Sequence, residues 1–311
     1  MAMLYRTLGN TGLEVSALSF GASSLGGVFH DVDEDECIRA VHLAVDLGIN
    51  FIDVSPYYGL TRAETVLGKA LRGIPRDRYY LATKVGRYGD AEFDFSARRV
   101  TASVDESLSR LRLEYIDVIQ CHDVEFADLD QVVNESIPAL RLLQDRGKVR
   151  FVGVTGLPLK IFRYVLDHAE VDTILSYCRY CLNDTSLESL LPSLRRRRVG
   201  IINASPLAMG LLSNRGAPAW HPAPGEIRDA CAQAAAFCRS RGTDLARIAL
   251  QFSISNPEIA TTLVGTASPA NLARNVRWIS EPPDPEMLSA VLRILEPVHN
   301  LSWPSGRPEN N

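Results

Sequence analysis

The 311-residue sequence has few cysteines, no excess of basic residues and no long apolar run, and each absence excludes a class of protein. Six cysteines are too few for a disulfide-stapled secreted domain, and no apolar signal segment follows Met1, so we predict reduced thiols in a cytoplasmic protein. Apolar stretches such as Val199–Ala204 are far shorter than the ~20 residues that span a bilayer. Lys and Arg total 33 against 37 for Asp and Glu, and this net charge of −4 argues against nucleic-acid and membrane partners.

Short β-type segments alternate with longer helical patterns, which indicates parallel strands joined by helical crossovers. The predicted strands are Ala17–Gly21, Asn50–Asp53, Tyr79–Lys84, Ile116–His122, Arg150–Thr155, Thr173–Ser176, Val199–Ser205 and Thr261–Gly265. The predicted helices between them are Asp35–Leu47, Val100–Leu113, Leu129–Arg146, Leu159–Asp167, Leu187–Arg198 and Pro269–Ile279. Eight such units in one chain favour a (β/α)8 TIM barrel, forming a single domain over residues 1–311, rather than an open doubly wound sheet.

Four further segments lie outside the barrel repeat. Leu4–Leu8 and Leu13–Ser16 flank a turn rich in Asn and Gly, and they predict a β-hairpin that caps the barrel floor. A helical pattern at Glu226–Arg241 predicts an extra helix between strands seven and eight, and another at Glu286–Leu295 predicts a last helix. The Pro- and Asn-rich end, Ser302–Asn311, is predicted to be mobile.

Polar residues stand at the ends of three consecutive predicted strands, the edge at which barrel active sites form. Strand two ends at Asp53 and is followed by two tyrosines, strand three ends at Lys84, and strand four ends at His122. Each residue alone has an ordinary structural explanation, but together they predict a proton-transfer site built around a phenol. The pKa of a phenol is about 10, too high for a general base at neutral pH, so Tyr58 needs a neighbouring cation that favours the phenolate. We predict that Lys84 is this cation, that Asp53 holds it, and that His122 orients the reacting oxygen.

These same residues resemble a known set of motifs. The segments Asp53-Val-Ser-Pro-Tyr-Tyr58-Gly, Ala-Thr-Lys84 and Gln-Cys-His122-Asp resemble the catalytic tetrad of the aldo-keto reductase superfamily, whose five-residue step from Asp53 selects Tyr58 over Tyr57. The likeness spans nearly the whole chain, including residues 205–210 and 265–275. It implies a nicotinamide cofactor bound without a Gly-x-Gly-x-x-Gly loop, which this sequence lacks.

Several stretches are most similar to sugar-oxidising members of that superfamily. They are Phe93–Ala97, Arg99–Glu106, Cys121–Asp123, Leu175–Cys178, Asn183–Thr185, Trp220–Pro224 and Leu295–Val298. The resemblance implies an aldose 1-dehydrogenase, in which Tyr58 takes the proton of the anomeric hydroxyl while hydride leaves C1 for the nicotinamide. Trp220 and His221 are candidate substrate contacts because an aromatic face suits a sugar ring, although packing beneath their loop needs the same residue types.

The choice of cofactor is argued from two absent charges. Superfamily members that prefer NADP place a Lys at the end of strand eight and an Arg six residues later, where this chain has Gly265 and Asn271. The neutral pair predicts NAD, with Arg274 as the one nearby cation that could still hold a 2′-phosphate. The other cofactor contacts that the resemblance implies are Thr155 and Tyr177 near the nicotinamide, Ser205, Leu207 and Gly210 at the pyrophosphate, and Thr266 and Asn275 at the adenosine half.

Other features give weaker signals. Cys178 and Cys181 have the spacing of a zinc knuckle, but no second pair follows, so we predict no metal. The basic run Arg195–Arg198 suits a solvated helix end. Two other functions stay open: an NADPH-dependent carbonyl reductase that uses the same tetrad, and a channel-associated subunit that holds cofactor for regulation. The sequence does not identify the sugar or the oligomeric state.

Overall fold

The computed structural model of the protein describes residues 3–28 and 31–311, and eight of its strands form a closed parallel barrel. In chain order the strands are β1 Tyr5–Thr7, β2 Glu14–Ser16, β3 Leu18–Gly21, β4 Phe51–Asp53, β5 Tyr80–Val85, β6 Ile116–Cys121, β7 Val149–Gly156, β8 Thr173–Tyr177, β9 Gly200–Ala204 and β10 Thr261–Gly265. Strands β3 to β10 pair in sequence order, and β10 closes the barrel on β3 with Gly265 opposite Gly21. The predicted TIM barrel is confirmed.

Helices cover the outside of the barrel. They are α1 Glu34–Asp46, α2 Arg62–Ala70, α3 Ala97–Leu111, α4 Leu129–Gln131, α5 Ile137–Asp145, α6 Leu159–His168, α7 Leu191–Arg197, α8 Gly225–Ser240, α9 Leu245–Ser255, α10 Pro269–Ser280 and α11 Pro285–Leu295. A single π-helical segment, Val132–Ser136, joins α4 to α5. The predicted helix Leu187–Arg198 is divided into a 3₁₀ segment, Ser186–Leu190, and α7.

Two helices, α2 and α9, escaped prediction, for different reasons. Helix α2 is short and contains Gly68, at which a Cβ atom would lie 2.3 Å from the carbonyl oxygen of Arg110 in α3. A glycine that lowers helix propensity is therefore required there by close packing of two helices. Helix α9 is apolar around most of its surface and buries Leu245, Ile248 and Leu250, so it lacks a polar stripe that marks an amphipathic helix.

The N-terminal hairpin β1–β2 closes the floor of the barrel, as predicted. Leu8, Leu13 and Val15 are buried among barrel residues such as Phe51 and Ile202. Gly9 has a φ of +56°, and a Cβ atom there would lie 2.2 Å from the backbone nitrogen of Gly200 at the start of β9. The turn therefore needs glycine both for its backbone conformation and for this close approach.

The prediction of a mobile C-terminal end is wrong. Trp303 is buried, and the Nδ2 amide of Asn310 donates hydrogen bonds to the carbonyl oxygens of Glu125 at 2.9 Å and Ala127 at 3.0 Å. Polar residues that suggested disorder instead supply hydrogen bonds to the loop after β6. The segment Ser302–Asn311 thus lies against the barrel edge that carries the predicted site.

The remaining fold-level predictions concern surfaces, thiols and metals. All six cysteines are free and buried. In the basic run, Arg195 pairs with Glu258 and Arg197 pairs with Asp167 at the exposed end of α7. Residues 3–28 and 31–311 contain no group of three or more side chains that could hold a metal ion. No helix in this part of the chain is long and apolar enough to cross a membrane.

Candidate active site

The four predicted tetrad residues meet at the carboxyl ends of β4, β5 and β6. The side chain of Lys84 is 1% exposed, and its Nζ forms an ion pair with Asp53 Oδ1. The same Nζ donates hydrogen bonds to the carbonyl oxygen of Val54 at 2.8 Å and to Tyr58 Oη at 3.2 Å. A buried ammonium thus has three oxygen partners, which compensate its loss of solvation.

The loop after β4 sets Tyr58, rather than Tyr57, beside Lys84. Gly59 has a φ of +61°, and a Cβ atom there would lie 2.2 Å from the carbonyl oxygen of Gly26. The loop is therefore pressed against the turn that follows β3, and only glycine fits at this contact. The hydroxyl of Tyr57 points elsewhere and donates a hydrogen bond to Asp90 at 2.8 Å.

The pKa of Tyr58 is shifted upward, opposite to the direction expected from Lys84 alone. The pKa of Tyr58 is raised to about 12: burial is the largest cause and the negative charges of Asp53 and Asp123 act in the same direction, whereas Lys84 lowers the pKa. Lys84 therefore acts in the predicted direction, but the net shift is upward. In the protein without ligands Tyr58 is a protonated phenol at neutral pH, which fits a proton donor for carbonyl reduction and a base that becomes effective as the pH rises.

Asp53 and a neighbouring glutamine keep Lys84 charged and in place. Burial alone lowers the pKa of Lys84, but its charge interactions with Asp53 and Tyr58 outweigh burial, so the net pKa is raised. The other carboxylate oxygen of Asp53 accepts a hydrogen bond from Gln120 Nε2 at 2.9 Å. Since Gln120 lies on β6 and Lys84 on β5, three adjacent strands hold this carboxylate.

His122 lies edge-on to the Tyr58 ring, with ring centroids 5.6 Å apart and an interplanar angle of 88°. Its Nδ1 is 3.0 Å from Ser55 Oγ, and its Nε2 is 3.6 Å from Asp123 Oδ2. Burial lowers the pKa of His122 to about 3, with the positive charges of Lys84 and Arg87 adding to this and Asp123 opposing it. The imidazole is therefore neutral at physiological pH and can donate only one ring proton.

Thr155, a predicted nicotinamide contact, hydrogen-bonds Asp123, the residue that follows His122. Its Oγ1 accepts a hydrogen bond from the backbone N–H of Asp123 at 2.8 Å and donates to Asp123 Oδ1 at 3.2 Å. Asp123 has a φ of +48° and also binds Arg87 Nη1 at 2.6 Å. Thr155 is 1% exposed and holds Asp123 in place, and its contact with the nicotinamide stays a prediction.

Tyr177, at the end of β8, is joined to a buried carboxyl group. Its hydroxyl donates a hydrogen bond to Glu125 Oε1 at 2.8 Å, and Ser305 Oγ donates to the same oxygen at 3.2 Å. Burial and the nearby charge of Asp123 raise the pKa of Glu125 to about 8. Tyr177 is only partly buried, so its ring can still offer a face to the cleft.

Two loops supply the other predicted cofactor contacts, and they lie side by side because β9 and β10 are neighbours. In the loop after β9, left-handed backbone occurs at Ser205, Ala208, Met209 and Gly210, with φ between +44° and +106°, and Leu207 is half-buried. After β10, Gly265 is exposed and leads through Thr266 to the N-terminus of α10, where Ser268 caps the helix. The Ser268 side chain accepts a hydrogen bond from the backbone N–H of Asn271 at 3.4 Å, so one N–H of the first turn is already satisfied.

The start of α10 carries the predicted adenosine-side contacts Asn271 and Asn275. Asn271 is half-buried, Asn275 is 9% exposed, and Asn271 Oδ1 accepts a hydrogen bond from Arg274 Nη2 at 2.8 Å. The guanidinium carbon of Arg274 also lies 5.0 Å from the centre of the Trp278 ring. Two neutral side chains and one guanidinium therefore lie together in the first turns of α10.

The two predicted substrate contacts, Trp220 and His221, are adjacent in the chain but differ in exposure. Trp220 is 56% exposed on the loop after β9. His221 is 3% exposed, its Nε2 lies 3.0 Å from the carbonyl oxygen of Ala208, and its Nδ1 accepts from the backbone N–H of Ala223 at 3.0 Å. Both ring nitrogens of His221 are used within the loop, so the residue holds the loop together, and contact of either residue with substrate stays a prediction.

Sequence reasoning missed four residues that shape the site: Ser55, Arg87, Gln120 and Glu125. Ser55 and Gln120 lie in the motifs around Asp53 and His122, but nothing in the sequence shows that their side chains reach the tetrad. Arg87 stacks over the Tyr57 ring at 3.9 Å to its centroid and pairs with Asp123. A useful signal for Arg87 and Glu125 was available: each follows a predicted strand end by three residues.

Comparisons with known proteins agree with this geometry. Residues 17–296 match the model of the aldo/keto reductase family, so the chain belongs to that family of oxidoreductases. Family membership implies a nicotinamide cofactor. A solved aldo-keto reductase from Bacillus halodurans, in its holo form, superimposes with a TM-score of 0.79 at 27% identity, covering 97% of this chain and 98% of that one.

Two curated relatives are sugar dehydrogenases by name. The chain is 54% identical to L-galactose dehydrogenase of Arabidopsis thaliana, over 98% of both sequences. It is 34% identical to D-arabinose 1-dehydrogenase of Saccharomyces cerevisiae, over 78% of this chain and 76% of the relative.

Proposed function

We propose that the protein is an NAD-dependent aldose 1-dehydrogenase that oxidises L-galactose to its 1,4- or 1,5-lactone. The observation that carries this proposal is the 54% identity to L-galactose dehydrogenase over 98% of both chains. The tetrad geometry supports it independently, because Lys84 Nζ lies 3.2 Å from the hydroxyl of Tyr58, a group suited to proton exchange with a sugar hydroxyl. A cytoplasmic location and a role in plant-type ascorbate biosynthesis stay predictions.

The chain's own residues perform the proton chemistry in this proposal. NAD, when bound, supplies the acceptor for the hydride that leaves C1. Tyr58 removes the proton from the anomeric oxygen, and Lys84 stabilises the phenolate as it forms. Asp53 compensates the buried ammonium, and neutral His122 hydrogen-bonds the same oxygen as it becomes a carbonyl. The half-exposed ring of Trp220 offers an apolar face to the sugar.

The preference for NAD follows from the end of β10. Gly265 and Asn271 carry no charge, so the site has no pair of cations to compensate the desolvation of a 2′-phosphate. Arg274 is the exception, and its Nη2 donates to Asn271 Oδ1 at 2.8 Å. We therefore propose NAD as the cofactor, with Thr266 and Asn275 toward its adenosine half and Ser205, Leu207 and Gly210 toward its pyrophosphate. Tyr177, aligned by Glu125, is the proposed nicotinamide neighbour.

The test is an absorbance assay of NADH formation with purified protein and a panel of L- and D-sugars. L-Galactose with NAD should give the highest kcat/KM, and L-fucose, which lacks only the C6 hydroxyl, should react more slowly. D-Galactose is the matched control, since it has the same groups in mirror-image arrangement. Faster reduction of aldehydes with NADPH than oxidation of any sugar would identify a carbonyl reductase. Bound cofactor with no measurable turnover in either direction would identify a regulatory subunit.

A further inference from the structure

A buried serine hydroxyl lies beside Nδ1 of His122. Ser55 Oγ is 3.0 Å from His122 Nδ1, and the two residues are 0% and 3% exposed. Ser55 stands two residues beyond Asp53, in the segment that leads from β4 to Tyr58. Its Oγ also accepts a hydrogen bond from the backbone N–H of Tyr57 at 3.1 Å. The same short segment therefore touches both proton-carrying residues of the site.

The direction of the bond between Ser55 and His122 follows from counting protons. A serine hydroxyl has one proton to donate, and among the described residues His122 Nδ1 is the only acceptor beside it. If Nδ1 carried the ring proton, the hydroxyl would receive two hydrogen bonds and its own proton would be buried without an acceptor. Buried polar groups are rarely left in that state. Ser55 therefore donates, and Nδ1 accepts through its lone pair.

The opposite side of the ring supports the same assignment. His122 Nε2 lies 3.6 Å from Asp123 Oδ2, and Arg87 Nη1 binds that oxygen at 2.6 Å. Against the opposing effect of burial, the charge and hydrogen bond of Arg87 lower the pKa of Asp123, so the group paired with that guanidinium is a carboxylate. A lone pair on Nε2 would be repelled by this anion, whereas an N–H there is attracted.

We infer that Ser55 is a positioning residue that holds neutral His122 in the tautomer with its proton on Nε2. The inference rests on the proposed catalytic role of His122 and extends it. In this tautomer Nε2, the ring nitrogen that Ser55 does not bind, is a hydrogen-bond donor for the C1 oxygen of a sugar that exchanges a proton with Tyr58, whose ring centroid lies 5.6 Å from that of His122. In the other tautomer Nε2 would present a lone pair to the developing carbonyl oxygen and give no stabilisation.

The experiment measures the tautomer directly, by ¹⁵N NMR of the histidine rings in the full-length protein, with and without NAD. The chain has six histidines, and the His122 signals are those missing from a His122→Gln variant. In the wild type, Nε2 should be protonated and Nδ1 unprotonated. Ser55→Ala should shift His122 toward the Nδ1-protonated form, and Ser55→Thr, which keeps the hydroxyl, should restore the wild-type pattern.

Kinetics provide the second readout. Ser55→Ala should lower kcat for sugar oxidation by about tenfold, a part of the roughly 10²–10⁴-fold that a positioned proton-transfer group contributes, with little change in KM for NAD. Ser253→Ala is the matched control, because Ser253 is also 0% exposed and its hydroxyl donates to a backbone carbonyl, that of Tyr180 at 3.3 Å. It should leave both the His122 tautomer and kcat unchanged.

Two results would overturn the inference: a wild-type His122 protonated on Nδ1, or a Ser55→Ala protein that keeps the Nε2 proton. The wild-type spectrum decides the first point even if Ser55→Ala fails to fold. Because the spectrum needs no turnover, it also separates this inference from the proposed function. A wild type with the Nε2 proton but no sugar oxidation would refute the function and leave the assignment of Ser55 intact.

Discussion

Lys84 Nζ lies 3.2 Å from Tyr58 Oη, and the Lys84 side chain is 1% exposed near the carboxyl end of β5. A buried cation in contact with a phenol whose pKa is about 12 defines how the site exchanges protons. The phenol holds its proton at neutral pH, and the ammonium stabilises the anion that remains once the proton has left. The first two predictions test these two roles separately.

Replacing Tyr58 by Phe removes the transferable proton and keeps the ring. We expect kcat for sugar oxidation to fall by about 10²–10⁴-fold while the affinity for NAD, measured by fluorescence or calorimetry, stays near that of the wild type. Tyr57→Phe is the matched control, since it deletes a hydroxyl that donates to Asp90 instead. If Tyr58→Phe kept more than about a tenth of the wild-type rate, the proton-transfer role would belong to another residue.

Replacing Lys84 by Met removes the cation that lowers the pKa of Tyr58, so this pKa should rise further. Oxidation needs the phenolate, and the rising limb of its pH–rate profile should therefore move to higher pH. Lys148→Met is the control, because Lys148 pairs with Asp105 on the surface. It directly precedes β7 and so lies at the end of the barrel opposite the tetrad. A Lys84→Met profile that coincides with that of the wild type would show that Lys84 does not stabilise the phenolate.

The tetrad could be predicted from sequence because neighbouring parallel strands bring their carboxyl ends to one edge, so Asp53, Lys84 and His122 had to lie close together. The contacts that support the tetrad could not be predicted from the sequence. The bond from Asn310 to Glu125 joins residues 185 positions apart, and the bond from Ser55 to His122 depends on side-chain torsions within a loop. The net shift of the Tyr58 pKa also depends on burial, which strand patterns do not measure.

Glu125 gives a prediction about stability and pH. Burial and the charge of Asp123 raise its pKa from an ordinary 4.5 to about 8, and Oε2 has no hydrogen-bond partner among the described residues. The folded protein therefore binds this proton more tightly than the unfolded chain does. The stabilisation that results is fully present below about pH 4.5 and is lost as the pH rises through about 8.

The neutral variant Glu125→Gln keeps an acceptor for Tyr177 and Ser305 without this titration. The difference between the Tm of Glu125→Gln and that of the wild type, measured by calorimetry, should increase in favour of the variant by on the order of a few degrees between pH 5 and pH 8. Glu226→Gln is the control, because Glu226 is exposed on α8. A Tm difference between Glu125→Gln and the wild type that is constant with pH would show that Glu125 has an ordinary pKa.

The last prediction concerns the cofactor. A 2′-phosphate must lose its hydration on binding, and Gly265 and Asn271 offer no charge to replace it. NAD should be preferred over NADP by at least about tenfold in kcat/KM, which is about 1.4 kcal/mol and less than one charge-assisted hydrogen bond of roughly 1.5–3 kcal/mol.

The double variant Gly265→Lys with Asn271→Arg should recover the use of NADP at little cost with NAD, because a 2′-hydroxyl gives the new cations no partner. The backbone can accept the lysine: a Cβ atom at Gly265 would lie 3.2 Å from Ser23 Oγ, a side chain that can rotate away. If the wild type already used both cofactors equally, Arg274→Ala would test whether Arg274 binds the 2′-phosphate. The Arg274 guanidinium donates a hydrogen bond to the Asn271 side chain at 2.8 Å, and a rotation away from this amide would direct it toward a phosphate. Its removal should then abolish the use of NADP and leave the use of NAD unchanged.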